Sequence, residues 1–178
     1  MKRLLLTALL STAALPAFAV TEAEVVKTYA DIAEAGYADS LATARALQTA
    51  VQALVTAPSA DTLEAAKTAW RAARVPYQQT EVFRFGNPIV DKWEGRVNAW
   101  PLDEGLIDYV DASYGQSEEN PLSTLNVIAS TKITIGGTEI DASTITPALI
   151  KETLHEADGI EANVASGYHA IEFLLWGQ

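Results

Sequence analysis

Apolar residues recur every three or four positions through the first third of the chain. Between Thr21 and Thr56 there is no proline and one glycine, and alanine occupies many of the other positions. The apolar stripe consists of Val25, Tyr29, Ile32, Leu41, Ala44, Leu47, Val51 and Leu54. This spacing predicts one long amphipathic helix. Thr21 and Glu24 have the spacing of a capping box at its start.

A second helical pattern runs from Asp61 toward Phe85. Asp61 and Glu64 are spaced as a capping box, and Pro76 lies inside the pattern, where it predicts a kink or a break. One side of this helix carries Leu63, Ala66, Trp70, Ala73 and Tyr77. The turn-forming segment Gly86-Asn87-Pro88 should end it.

Residues 86–120 do not show the helical spacing of apolar residues and are rich in aromatic and acidic side chains. This composition indicates a long loop region with short helices. One of these helices is predicted over Pro101–Val110. Farther along, Leu122–Ala129 has the pattern of a short helix. Two short strand patterns, 132–135 and 138–140, flank Gly136-Gly137 and predict a small β-hairpin.

Two further helices complete the predicted fold. Thr146-Pro147 favours a helix start, with proline at the first helical position. The last helix is predicted from Ile160 to Trp176. The sequence therefore predicts an all-α fold, an up-down helical bundle with a long aromatic-rich loop region and one small β-hairpin.

The first 19 residues have the features of an export signal. Met1-Lys2-Arg3 is positively charged, Leu4–Leu15 is apolar, and Ala17-Phe18-Ala19 is a small-x-small cleavage site. The apolar run is too short to span a membrane. No cysteine is available for a lipid anchor. We therefore expect a signal peptide over 1–19 and a domain over 20–178 in the periplasm or cell envelope, not a lipoprotein and without a transmembrane segment.

The chain is acidic, and removing Lys2 and Arg3 takes its formal charge from −11 to −13. Nucleic-acid binding proteins gain most of their affinity by neutralising phosphates, so this balance argues against a nucleic-acid partner. It is compatible with binding a cation, although an acidic surface also serves solubility.

The last predicted helix carries the most informative pair of residues. His169 and Glu172 are three apart and are its only ionisable residues after Gly167 apart from Tyr168. On a helical wheel they cluster with Trp176 beside an apolar stripe. Residues at this spacing share a face, so an imidazole and a carboxylate can reach one metal ion. A plain His–Glu hydrogen bond is the structural alternative.

Further ligands would have to be oxygen atoms, because the only other histidine, His155, lies in a polar stretch and is expected at the surface. Glu81, Asp91 and Asp103 are the candidates. The alternatives are an ion pair of Glu81 with Arg84 and a turn-capping role for the two aspartates. One histidine with several carboxylates suits iron, manganese or zinc.

Three segments resemble the imelysin family. Residues 167–172, Gly-Tyr-His-Ala-Ile-Glu, match its Gly-x-His-x-x-Glu motif, and residues 77–87 and 98–104 resemble its upstream segments. The resemblance implies exported bacterial proteins, some of them iron-regulated, built from two helical bundles. It also implies metal ligands at His169, Glu172, Glu81 and Asp103, with Arg84 and Trp176 as supporting residues. Because imelysins are usually more than twice this long, we expect the chain to represent the first bundle only.

The residue pattern and the resemblance together leave three hypotheses for the function. The leading hypothesis is a periplasmic metal-binding protein for iron or zinc, linked to iron acquisition and to an envelope iron-uptake partner. The second is a metallopeptidase of the insulin-cleaving type, in which Glu172 would act as general base. The third is a non-catalytic envelope interaction module that docks haem or a receptor through Trp93, Trp100 and Tyr109.

Overall fold

The computed structural model describes residues 20–114 and 119–177. The predicted signal peptide lies outside these residues. Within them, no helix is both long enough and apolar enough to cross a membrane. The described chain is mostly helical with one two-stranded hairpin, so the predicted fold class is confirmed.

Two antiparallel helices form the longest part of the fold. Helix α1 spans Glu22–Thr56 and has the predicted capping box between Thr21 and Glu24. Helix α2 spans Ala60–Gln79, and Pro76 lies inside it without splitting it. The prediction of a cap at Asp61 is wrong, because Ser59 and Thr62 form the capping box instead.

Helix α2 ends at Gln79 rather than near Phe85 because its last turn tightens. The amide and the hydroxyl of Thr80 both donate to the carbonyl of Tyr77, at 2.9 and 2.6 Å. This is an i→i+3 pattern, and a 3₁₀ turn over Glu81–Phe83 follows it.

Two shorter helices follow, α3 over Pro88–Val97 and α4 over Glu104–Ile107. The predicted helix at Leu122–Ala129 does not form. Its amides at residues 126, 127 and 128 donate instead to the carbonyls of residues 105, 106 and 107. The segment is therefore a series of turns held along α4, because its donors find partners outside the segment.

The predicted hairpin is confirmed. Strand β1, Lys132–Ile135, pairs antiparallel with β2, Thr138–Asp141, and Ile135 lies opposite Thr138. Gly136 and Gly137 both have positive φ angles, 57° and 78°, which a two-residue hairpin turn of the primed type requires.

The last helix, α5, spans Gly167–Trp176 and begins seven residues later than predicted. Asn163 is fully buried. Its side-chain amide donates to the backbone carbonyl of Ala157 at 2.8 Å, and its backbone carbonyl accepts from the amide of Glu156. These bonds hold residues 156–163 as a compact loop. The predicted helix at Thr146 is likewise reduced to a π turn over Leu149–Thr153.

Helix α5 contributes to two of the three apolar clusters of the described core. Its Tyr168 packs with Leu47, Ala73 and Tyr77 of α1 and α2. Its Ala170 and Phe173 belong to a second cluster. The remaining members of that second cluster are Leu102, Ile107 and Val164. By contrast, much of the predicted apolar stripe of α1 is exposed, including Val25, Ile32 and Leu41.

The start of α5 lies directly against the end of α3 and depends on a glycine. Gly167 has φ +88°, and a Cβ at this position would lie 2.5 Å from the carbonyl oxygen of Val97. Around this contact, Ser166 donates its hydroxyl to the carbonyl of Arg96, and Trp70 donates its indole N–H to the carbonyl of Tyr168, both at 2.9 Å. The backbone conformation and this close contact therefore explain why the Gly-x-His-x-x-Glu segment begins with glycine.

Gly167→Ala should lower the free energy of unfolding by about 2–4 kcal/mol, because alanine meets both a disfavoured φ and a backbone oxygen. Urea denaturation followed by circular dichroism measures this. The matched control is Gly95→Ala in the interior of α3, where an added Cβ would have no other atom within 4 Å. It should be neutral or stabilising by up to about 1 kcal/mol. Equal effects of the two substitutions would contradict the role given to Gly167.

Candidate metal site

His169 and Glu172 meet on one face of α5. His169 Nδ1 lies 2.9 Å from Glu172 Oε2. With Nδ1–H as the donor, the Nε2 lone pair of His169 remains available to a ligand. The expected burial of the pair is met only in part, because the side chain of His169 is 18% exposed and that of Glu172 is 43% exposed. Helix α5 is covered on fewer sides than its composition suggests, and Leu174 and Trp176 are also exposed.

The imidazole of His169 rests against the indole of Trp100, with ring centroids 4.8 Å apart. Trp100 is itself 66% exposed. A ring in this position limits the rotation of the imidazole. The sequence pattern indicates Trp100 only as a docking residue and gives no sign of this contact, because 69 positions separate the indole from the histidine.

Glu104, the first residue of α4, adds a second carboxylate to this region. Burial, and next the negative charge of Glu172, raise the pKa of Glu104. Glu104 is the last residue of the segment 98–104 that resembles imelysins. The family resemblance could therefore have indicated Glu104 as a site residue. A second carboxylate close enough to interact with Glu172 favours a cation beside that pair of carboxylates.

Asp103 has a different set of partners. Its backbone amide donates to the carbonyl of Ala162 at 3.0 Å, and its carboxylate accepts from the side-chain amide of Asn120. Asn120 also donates to Asn163 at 2.7 Å. Asp103 therefore helps to hold the loop that precedes α5.

Glu81 lies in an ion cluster centred on Arg84. The guanidinium reaches Glu81 at 3.1 Å, Asp91 at 2.8 Å and Glu94 at 3.3 Å. Hydrogen bonds to Asp91 and then to Glu81 raise the pKa of Arg84. The ion pair of Glu81 with Arg84, which the sequence left as an alternative, is confirmed. Arg84 thus ties the turn after α2 to α3.

Trp176 packs among aromatic and basic side chains. Its ring meets Trp70 edge to face at 5.3 Å. Lys67 and Arg71 of α2 lie over the same ring, each 5.2 Å from its centroid. These contacts anchor the end of α5 to α2.

The structure therefore brings together His169 and Glu172 and gives Glu81 and Asp103 other partners. In residues 20–114 and 119–177, no three His, Asp or Glu side chains gather closely enough to hold a metal ion. The four-ligand set remains a prediction. The surface role expected for His155 is wrong. Its side chain is 13% exposed, and its Nδ1 is buried without a hydrogen-bond partner in the described structure.

Comparison with known proteins identifies the family. Iron-regulated protein A of Synechococcus elongatus is 42% identical over 71 residues, which is 39% of this chain and 20% of that relative. The match thus spans about a fifth of the relative's length. The model of the imelysin family, peptidase family M75, matches residues 33–178, from α1 through His169 and Glu172. The chain belongs to the imelysin family.

Proposed function

We propose that this protein binds a metal ion, iron or zinc, through His169 and Glu172 in the periplasm or cell envelope, and that it serves iron acquisition there. The observation that carries the proposal is the 2.9 Å distance between His169 Nδ1 and Glu172 Oε2. With Nδ1–H as the donor, this contact leaves the Nε2 lone pair to coordinate. A carboxylate on the second ring nitrogen is the usual partner of a metal-binding histidine. The iron-linked imelysin membership and the name of the cyanobacterial relative support iron.

The proposed roles of the two residues differ. His169 would coordinate through Nε2. Glu172 would hold the Nδ1–H tautomer with Oε2. From that position neither of its oxygens can reach an ion on Nε2, so direct ligation by Glu172 would require the bond to Nδ1 to break. Trp100 limits the rotation of the imidazole. Such an imidazole and carboxylate set suits iron(II), iron(III) or zinc.

Glu81 and Asp103 remain the proposed further ligands. Each would first have to leave its present partner, Arg84 or Asn120. Breaking such charge-assisted bonds costs roughly 1.5–3 kcal/mol each, so binding through all four residues would require a rearranged site. Arg84 and Trp176 would act at a distance, through the contacts that place α3 and α5.

The proposed location in the periplasm or cell envelope depends on export of the protein. The basic start, apolar run and small-x-small site of residues 1–19 support a signal peptide. An envelope partner for iron uptake is the corresponding proposed partner.

Calorimetric titration with iron(II), iron(III) and zinc tests the site. His169→Ala should weaken binding at least about 100-fold, because it removes the coordinating nitrogen. Glu172→Ala should weaken it about 10- to 100-fold, because it removes the anionic partner that holds Nδ1–H and orients the imidazole. Glu172→Gln, which keeps an oxygen for Nδ1–H but loses the charge, should give an intermediate value.

His155→Gln is the matched control, because it removes the other histidine of the chain. It should leave the metal affinity unchanged. Unchanged affinity in both His169→Ala and Glu172→Ala, with circular dichroism showing intact helices, would remove these residues from the site.

Metallopeptidase activity is the second candidate, and the peptidase name of the matching family favours it. Glu172 would then serve as general base, yet one of its oxygens already holds His169. We therefore expect no metal-dependent cleavage of insulin or casein above the level of the His169→Ala variant. Cleavage that appears with zinc, vanishes with chelator and vanishes in His169→Ala would favour the enzyme.

An interaction module is the third candidate, favoured by exposed aromatic rings. Trp93, Trp100 and Tyr109 are 43%, 66% and 78% exposed. The contact with His169 gives Trp100 a role within the metal proposal, and Trp93 packs against Tyr37 and Tyr77. If the wild-type protein binds no metal in the calorimetric titration, the interaction module becomes the favoured function.

A further inference from the structure

A line of aromatic rings, called the aromatic path below, runs from the end of α5 into the core. Trp176 meets Trp70 of α2 with ring centroids 5.3 Å apart. Trp70 meets Tyr168 at 6.4 Å, and Tyr168 meets Tyr77 at 5.0 Å. All three spacings lie in the range of about 4.5–7 Å in which aromatic rings touch. The path is therefore a continuous series of ring contacts.

The aromatic path begins beside the proposed metal site and ends in the protein interior. Trp176 follows His169 by seven residues and Glu172 by four, so it shares their face of α5. At about 1.5 Å of rise per residue, Trp176 lies about 10 Å along the helix axis from His169. At the other end, Tyr168 and Tyr77 are only 6% and 2% exposed.

The side chains that normally oxidise first are missing from this protein. The sequence has no cysteine, and its single methionine is Met1. Sulfur side chains are the usual sites of protein oxidation. Without them, indoles and phenols are the most readily oxidised side chains of residues 20–178. Every ring of the aromatic path belongs to one of these two types.

The two tyrosines of the path have hydroxyl partners of different kinds. Tyr168 donates to the backbone carbonyl of Ala73 at 3.3 Å, and a carbonyl does not take up a phenol proton. Tyr77 donates to the carboxylate of Glu81, which can take up a proton. A phenol that loses an electron also loses its proton. Tyr77 can therefore hold an oxidising equivalent, whereas Tyr168 serves as a bridge.

We infer that the aromatic path carries oxidising equivalents away from His169, through Trp176 and Trp70, to Tyr77. The source of the oxidant rests on the proposed iron site. Iron(II) there would give one electron to hydrogen peroxide, which yields iron(III), hydroxide and a hydroxyl radical. The hydroxyl radical would take one electron from Trp176 and become a second hydroxide.

Inside the protein, one electron moves in the opposite direction to the oxidising equivalent. Trp70 gives an electron to the radical cation of Trp176, and Tyr77 then gives one to Trp70 through Tyr168. The phenol proton of Tyr77 moves to Glu81, which leaves a neutral tyrosyl radical. Electron transfer slows steeply with distance, so short steps between touching rings are faster than one long step.

Photo-oxidation of the metal-free protein tests the path independently of metal binding. A ruthenium photosensitiser is attached at Thr68→Cys, which is the only cysteine of that variant. Thr68 is exposed and is adjacent to Lys67, which lies over the ring of Trp176. A flash with a cobalt(III) quencher produces ruthenium(III), which takes one electron from the path. We expect a tyrosyl radical in transient absorption and in freeze-quenched electron paramagnetic resonance.

Substitutions distinguish electron transfer from core packing. Trp70→Phe and Tyr77→Phe keep an aromatic ring but remove an oxidisable one, so each should abolish the tyrosyl signal. Glu81→Gln removes the proton acceptor at a position that is 36% exposed, and it should abolish the signal without disturbing the core. Tyr109→Phe is the matched control, since it removes an exposed tyrosine outside the path and should leave the signal unchanged.

Circular dichroism checks that each labelled variant is folded. If a ring substitution in the core unfolds the protein, Glu81→Gln decides the outcome. The inference is overturned by the absence of a tyrosyl signal in the labelled parent, by a signal that persists in folded Trp70→Phe, Tyr77→Phe or Glu81→Gln, or by its loss in Tyr109→Phe. A failure of the path would leave the metal titrations of His169→Ala unaffected, so the two proposals fail separately.

Discussion

The start of α5 can lie against the end of α3 because residue 167 has no side chain. A Cβ there would lie 2.5 Å from the carbonyl oxygen of Val97, and the backbone at Gly167 has φ +88°. The bonds from Ser166 and Trp70 to neighbouring carbonyls depend on the same close approach. This contact sets both the origin and the direction of α5, and the proposed metal site includes residues of that helix.

Two chemically different faces of α5 follow from that placement. One presents His169 and Glu172 to Trp100 and to the negative field around Glu104. The neighbouring face presents Tyr168 and Ile171 to the apolar cluster that contains Leu47, Ala73 and Tyr77. The end of the helix is held by Trp176, which lies between Trp70 and the cations of α2. A short helix thus connects the polar pair to the apolar core.

Local patterns predicted the elements whose bonds are local. The capping box at Thr21, the long helix α1 and the glycine turn of the hairpin are set by residues within a few positions of each other. The helix predicted at 122–129 does not form because its amides donate to carbonyls of α4. The last helix does not begin at Ile160 because Asn163 holds the preceding segment as a loop. The pair His169 and Glu172 was predictable from its spacing, whereas the neighbours Trp100 and Glu104 depend on the tertiary fold.

The central claim is that His169 offers Nε2 to a metal ion while Glu172 holds Nδ1. A crystal structure of the zinc- or iron-loaded protein, with the metal located by anomalous scattering, tests it most directly. We expect a peak about 2.0–2.2 Å from His169 Nε2, with the bond between Nδ1 and Glu172 retained. A peak bound to Nδ1, or one that contacts neither residue, would contradict it.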